Sequence, residues 1–324
     1  MPVIEVKELV KRYKDIEAVR GISFKVEEGE IFGFLGPNGA GKTTVINILS
    51  TLLKPTSGEV FLGGFNVVKQ PGEVRKSIGL VFQDTTLDEH LTAWENLYFH
   101  ALLYGVNREI RKERIERALK MVELENRKRD LVKTFSGGMK RRLEIARGFL
   151  HYPKVLFLDE PTVGLDPQTR NHIWKYIREL REKENITIFL TTHYMDEAEN
   201  CDRIAIIDHG VIVAEGTTEE LKRQVGGDVI TFATDYQSDA ALFIKKEFGI
   251  EAKVVDNKVV FEAENGEELI PLLVSRFKRN IKSISLRRPT LDDVFLKITG
   301  RALRDETVDL KEQMRMRRRA RRRR

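Results

Sequence analysis

The sequence predicts an α/β fold built on a parallel sheet and followed by a smaller α+β domain. Three observations carry that prediction. The runs VLFL at 155–158 and ITIFL at 186–190 are almost continuously apolar, as strands covered on both faces are. Between them Ile173, Ile177 and Leu180 recur at helical spacing and supply the crossover that parallel strands require. After Gly226-Gly227 the pattern becomes β-α-β-β-α-β, the split βαβ of ferredoxin-like folds.

The elements follow in order. VIEVKELVKRY and GISFKVEEGEIFGFL alternate like strands, with Glu28-Gly29 as a turn signal. Gly36 to Gly41 form a loop, and KTTVINILSTLL reads as a helix stopping before Pro55. Residues 84–150 are helix-rich and charged, with Ile115, Leu119 and Val122 as one buried stripe. IAIID and VIVAEG, split by His209-Gly210, read as a hairpin, and Thr217 with Glu220 as a capping box. Beyond it, VITFAT is a strand and DAALFIKKEFG a helix. EAKVVD and KVVFEA pair across a tight turn at Asp256-Asn257. GEELIPLLVSRFKRN, IKSISLR and TLDDVFLKITG give helix, strand and closing helix.

Composition narrows the classes. The net charge is +6, but residues 311–324 hold nine Lys/Arg against one Glu, a surplus of eight, so everything before them sums to −2. The body is therefore not a basic nucleic-acid surface. The single cysteine, Cys201, excludes an internal disulfide and suits a reducing cytosol; it reads as a small buried hydrophobe. No apolar run approaches the ~20 residues of a membrane span, and the N-terminus lacks a signal-peptide core. The chain reads as soluble and cytoplasmic. Phe65, Trp94 and Trp174 read as packing residues.

The chemistry lies in short motifs. GPNGAGKTT, residues Gly36, Pro37, Asn38, Gly39, Ala40, Gly41, Lys42, Thr43 and Thr44, has the G-x-x-x-x-G-K-[ST] spacing of a phosphate-binding loop between strand and helix. Glycines let backbone amides wrap phosphates, Lys42 reaches the β/γ oxygens and the Thr43 hydroxyl ligates Mg²⁺. VLFLDE at 155–160 ends an apolar strand in carboxylates at the sheet edge where ligands gather. There Asp159 would hold the metal and Glu160 would polarise the attacking water; the plainer reading of Glu160 is an exposed strand-end carboxylate. TFSGGMKRR at 134–142 opens a helix with two adjacent glycines, each costing about 1 kcal/mol inside one. Ser136 sits where an N-cap belongs, and the bare amides after it would attract an anion.

These motifs together resemble an ABC transporter ATPase subunit over residues 1–220 or so. The resemblance implies a RecA-like parallel core with an antiparallel β subdomain, a helical subdomain over 84–150, an ATPase activity and the cofactors ATP and Mg²⁺. It places Tyr13 as the adenine-stacking aromatic, against the alternative of a core aromatic. Gln83 after IGLVF becomes the residue that senses Mg²⁺ and the attacking water. His193 after FLTT becomes the switch histidine on the γ-phosphate. Asp166 in GLD falls in the loop that crosses to the other subunit, with helix capping as its alternative. Ser136, Gly137 and Gly138 would bind the γ-phosphate held by a second subunit, so a paired ATPase subunit, homodimeric or otherwise, is implied. The usual Leu-Ser-Gly-Gly-Gln carries Phe135 and Met139 here at its outer positions, which removes the glutamine's contacts but not those of Ser136 or the backbone.

The ferredoxin-like stretch and its ending SLRRPTLDDVFLKITGR resemble the C-terminal domain of daunorubicin-resistance exporter ATPases. That family pairs with a separate membrane-spanning permease, which would hold the chain at the inner face of the membrane. The expected domains are 1–225, 226–300 and a basic, disordered tail at 301–324. The tail is read as a solvated end or as a contact for anionic lipid; without aromatic interleaving, nucleic acid ranks third. The expected function is the motor of an exporter of drugs, lipids or other amphipathic compounds. The alternative is a soluble ABC ATPase acting on nucleic acid or ribosomes. Such relatives carry two ATPase units or a long coiled coil, neither of which occurs here.

Overall fold

The structure is a computed structural model and describes residues 2–255 and 257–300; Asp256 and the arginine-rich 301–324 lie outside the described residues. The chain divides into two compact units, Met1–Glu215 and Gly216–Arg324.

In the first unit β1 (Pro2–Tyr13) pairs antiparallel with β2 (Ile16–Glu27). The chain passes through β3 (Ile31–Leu35) and α1 (Lys42–Leu49), then β4 (Ser57–Leu62) and β5 (Phe65–Asn66) complete a sheet in the order β2-β1-β4-β5. α2 (Pro71–Ser77) and β6 (Ile78–Val81) lead to the helices α3 (Ala93–Leu103), α4 (Arg108–Met121) and α5 (Gly137–Phe149). The rest alternates: β7 (Val155–Asp159), α6 (Pro167–Glu184), β8 (Thr187–Thr192), α7 (Met195–Ala198), β9 (Arg203–Asp208) and β10 (Val211–Gly216). The central sheet has the order β10-β9-β3-β8-β7-β6, and β9, β3, β8, β7 and β6 run parallel.

The apolar runs behave as their composition requires. Val155 and Phe157 of β7 join one core with Phe24, Phe32, Phe189 and the α1 residues Val45 and Ile46. Leu156 and Leu158 join a second core with Leu97, Leu119, Leu143 and Ile173 from the helices. Both faces of the strand are thus covered, so no position tolerates a charge until its end. The rings of Phe32 and Phe189 stack at 5.6 Å across neighbouring strands, fixing that pairing by shape as well as by area. The register then aligns Leu35 with Thr192 and Asp159 with Thr191, so three strands end together at one edge. α1 is shorter than its sequence pattern: it stops at Leu49, and Thr51 has φ +66°, a left-handed residue that ends the helix.

In the second unit α8 (Thr218–Val225) starts at a capping box of Thr217 and Glu220. β11 (Asp228–Ala233), α9 (Gln237–Phe248), β12 (Ala252–Val255), β13 (Lys258–Ala263), α10 (Gly266–Arg276), β14 (Ser283–Arg287) and α11 (Leu291–Thr299) follow. The sheet order is β12-β13-β11-β14, every pair antiparallel, as the split βαβ requires. Ile230, Phe232, Val259 and Phe261 pack beneath Ala240, Ile244 and Leu273 of the helices. The division between units falls before α8 rather than after 225. The reason is local: Lys297 of α11 donates to the C-terminal carbonyls Gln224 and Val225 of α8 at 3.0 and 2.7 Å, a cation placed where the helix dipole favours it.

Candidate active site

The loop after β3 turns tightly into α1. A Cβ at Gly36 would fall 2.3 Å from the Ile207 carbonyl oxygen, and one at Gly41, where φ is +112°, 2.6 Å from that of Ala18. Neither position accepts a side chain, so the loop closes on backbone alone. α1 has no acidic residue in its first turn, which leaves its N-terminal dipole for an external anion. The Lys42 ammonium is buried and donates to the Gly36 and Pro37 carbonyls at 2.8 and 3.1 Å.

Opposite the loop, the strand ends deliver the carboxylates. Asp159 is buried and accepts from the Thr191 hydroxyl at 2.5 Å, with the Thr43 hydroxyl also bonded to it. Burial pushes its pKa up, against those two hydroxyls. Thr43, Asp159 and Gln83 offer the oxygen donors that Mg²⁺ prefers, so the residues present fit the metal.

Glu160 is the hub. Its Oε1 lies 3.3 Å from Lys42 Nζ and 3.2 Å from His193 Nδ1, and its Oε2 accepts from Gln83 Nε2 at 3.4 Å. The His193 contact is an ion-pair distance off the line of a hydrogen bond. Burial alone would raise the Glu160 pKa, but His193 and Lys42 together outweigh it and hold the carboxyl below its ordinary value. Lys42 is lowered by burial, with Glu160 and Asp159 opposing. The Glu160 backbone has φ +46°, unusual for a residue with a side chain, and its N–H is shared between the Thr191 carbonyl and hydroxyl at 3.2 and 3.1 Å. The reading of Glu160 as an exposed carboxylate is therefore overturned: it is buried.

Tyr13 is exposed, with Lys11 Nζ 5.1 Å from its ring centre, which excludes the core-aromatic alternative. It ends the strand whose hairpin partner carries Ala18 against Gly41.

A second group of candidates gathers elsewhere. Ser136 caps α5, its hydroxyl accepting from Met139 N–H at 3.3 Å, and the first turn holds no acidic residue. Asp166 caps α6, accepting from Thr169 N–H at 3.0 Å and from its hydroxyl at 2.6 Å. The two helix starts interlock: a Cβ at Gly138 would meet the Thr169 methyl at 2.5 Å, whereas one at Gly137 would meet nothing within 4 Å. Gly138 thus has a reason inside this chain that the motif alone did not reveal, and Gly137 does not. Ser136, Gly138, Arg142, Gln168, Thr169 and His172 line a cavity of about 270 Å³. Among the described residues, the side-chain partners of Glu160 are Lys42, His193 and Gln83, none of them from this group.

Two site residues escaped the motif reading. Thr191 bonds both carboxylate-bearing residues, and buried Glu197 accepts from the Thr192 hydroxyl at 2.6 Å beside His193. Their signal was two consecutive threonines closing an apolar run, polar groups where only hydrogen-bonded ones are tolerated.

The chain is similar to known proteins along most of its length. The model of the ABC transporter family matches residues 19–163, and that of the C-terminal domain of DrrA1-3-like ATP-binding proteins matches 216–299. The chain is 38% identical over 312 residues to the linearmycin resistance ATP-binding protein LnrL of Bacillus subtilis, covering 94% of this chain and 100% of that one. The chain belongs to the ABC transporter ATP-binding family. It is also 39% identical over 315 residues to the daunorubicin/doxorubicin resistance ATP-binding protein DrrA of Streptomyces peucetius, covering 94% of this chain and 95% of that one. Among solved structures, the dimeric post-hydrolysis state of the ATP-binding cassette MJ0796 bound to ADP and Pi matches at TM-score 0.61 and 31% identity, over 66% of this chain and 98% of that one.

This ABC subunit is a Mg²⁺-dependent ATPase, and its family works as dimers with a membrane-spanning partner. When bound, Mg²⁺ neutralises charge on the β and γ phosphates. Among the described residues no helix is long and apolar enough to cross a membrane.

Proposed function

We propose that this ATPase drives export of drugs, lipids or other amphipathic compounds, as two like subunits closing on two ATP molecules beneath a separate permease at the cytoplasmic face of the membrane. The observation that carries the reading is the division of the candidate residues into two groups with no side-chain contact between them among the described residues. Lys42, Gln83 and His193 converge on the Glu160 carboxylate, next to Asp159, while Ser136 and Gly138 line another cavity together with Thr169, the residue that Asp166 caps. In a head-to-tail pair each nucleotide would lie between the first group of one subunit and the second group of the other.

Residue roles follow from that arrangement. The loop Gly36–Thr44 holds the phosphates, with Lys42 on the β/γ oxygens and Tyr13 against the base. Thr43, Asp159 and Gln83 hold the metal. Glu160 takes the proton of the attacking water, and His193 meets the γ-phosphate. Ser136 and the Gly137 and Gly138 amides close on it from the partner, with Asp166 beside them. The substrate class is supported by the likeness across both units to linearmycin- and daunorubicin-resistance proteins. Phe99, Leu103 and Tyr104 at the end of α3 are exposed, an apolar surface suited to the permease, and the arginine-rich tail suits anionic lipid.

The test is mass in solution. Glu160→Gln should accumulate an ATP-bound dimer, because hydrolysis no longer reopens it. A chain that stays monomeric at saturating Mg²⁺-ATP would sink the paired reading.

A further inference from the structure

Arg141 stands one helical turn after Ser136–Gly138, and its side chain is buried. A buried guanidinium is costly unless its donors are satisfied. Here they are satisfied almost entirely by the backbone around the reacting carboxylate. Nε donates to the Pro161 carbonyl at 2.7 Å. Nη2 donates to the carbonyls of Asp159 and Glu160 at 3.1 and 3.2 Å. Nη1 donates to the Phe82 carbonyl and to Glu144 Oε2, the latter at 3.2 Å. Glu144, itself buried, accepts from the Thr86 N–H at 2.8 Å. One side chain thus grips the peptides on both sides of Glu160 and the peptide just before Gln83.

That grip falls where the backbone needs it. Glu160 is held at φ +46°, a conformation that persists only when surrounding structure enforces it. The residues on either side of that torsion are Arg141's acceptors. Gln83 and Glu160 then meet at 3.4 Å, a distance set by how the 82–86 and 159–161 segments are held relative to one another.

We propose that Arg141 is a positioning residue for hydrolysis. Its guanidinium locks the left-handed turn at Glu160 to the carbonyl preceding Gln83, so that base and water-orienting amide keep one geometry. It also joins that geometry rigidly to the helix whose first turn carries Ser136, Gly137 and Gly138. The proposal rests on Glu160 acting as the base. Lysine cannot replace it, because a point ammonium cannot span carbonyls that the planar fork reaches in different directions.

The experiment compares the full chain with Arg141→Lys, Glu144→Gln and Glu160→Gln, measuring ATP turnover, affinity for a fluorescent ATP analogue, and melting temperature. Arg141→Lys should keep wild-type nucleotide affinity while kcat falls about 10- to 100-fold, the usual effect of misplacing a reacting group by about 1 Å. Glu144→Gln removes the charged partner of Arg141, yet its amide oxygen still accepts from Thr86. It should lose less kcat, again at unchanged affinity. Full turnover in Arg141→Lys beside an inactive Glu160→Gln overturns the role of Arg141 alone. An active Glu160→Gln overturns the base assignment and this proposal with it. A parallel fall in kcat, affinity and melting temperature assigns Arg141 to stability only and also overturns it. If Arg141→Lys does not fold, Glu144→Gln decides: full turnover there overturns the proposal.

Discussion

Lys42 and Glu160 form a buried ion pair, Nζ to Oε1, at 3.3 Å. The lysine of the proposed phosphate loop and the carboxylate proposed as the base therefore neutralise each other. A γ-phosphate can claim Lys42 only by drawing it from Glu160. In Glu160→Gln that competitor is neutral, so ATP should bind at least as tightly as in the wild type. Turnover should fall by about 10²- to 10⁴-fold, the usual worth of a general base. Nucleotide titration and phosphate release on the same samples check both halves. Normal turnover would remove Glu160 from its role.

The neighbouring carboxylates should shift stability in opposite directions. Burial raises the Asp159 pKa, so the ionised form is disfavoured in the folded chain. Stability is lost as pH rises from the unfolded pKa through the folded one. Asp159→Asn keeps an acceptor for Thr191 and should melt above the wild type at neutral pH, the difference shrinking to nothing in acid. Glu160 is depressed by His193 and Lys42 against its burial. Its stabilisation is present above the unfolded pKa and lost as pH falls through the folded one. Glu160→Gln should therefore melt below the wild type at neutral pH and converge with it in acid. Thermal melts without nucleotide across that range decide, and an Asp159→Asn chain less stable at neutrality contradicts the assignment.

The two glycines of the α5 start should separate experimentally. A methyl at Gly138 collides with Thr169, so Gly138→Ala should destabilise the isolated chain by about 1–3 kcal/mol, as overpacking does. Gly137 faces open space, so Gly137→Asp should fold like the wild type and still bind ATP at its own loop. Its carboxylate would repel a partner's γ-phosphate, and in the Glu160→Gln background it should abolish the ATP-dependent mass shift. A full mass shift in that double variant would place the γ-phosphate contact elsewhere.

Much of this architecture was readable from residues. Motif spacing and strand-end position named Lys42, Asp159 and Glu160, because strand ends leave polar residues at the close of apolar runs, while His193 was named only by the family resemblance. The antiparallel order of the second sheet followed from its element order alone. What spacing could not reveal was contact between segments far apart in the chain. The grip of Arg141 on Phe82 and Pro161 looks in sequence like one of several basic residues in MKRR. The boundary near 216 was equally hidden, since the packing of α8 against α11, with the Lys297 hydrogen bonds to Gln224 and Val225, joins residues 73 and 72 positions apart.

The arginine tail lies outside the described residues, and every candidate site residue precedes it. Truncation after Leu310 should leave ATP turnover unchanged. If the tail meets anionic lipid at about 1 kcal/mol per basic residue, the truncated chain should bind anionic vesicles more weakly, most clearly at low salt. Equal vesicle binding by both chains would end the lipid reading.

Cys201 is the chain's one thiol. It is buried against Gly33, its Sγ 3.9 Å from the Glu197 carbonyl, and burial raises its pKa far above the ordinary range. A thiol so sealed holds little thiolate and resists alkylation. The natural sequence is therefore already a blank background for site-directed labelling. A cysteine introduced at an exposed position such as Gln168 would be the reactive one, and spin or fluorophore pairs placed that way could follow opening and closing in real time without first altering the core.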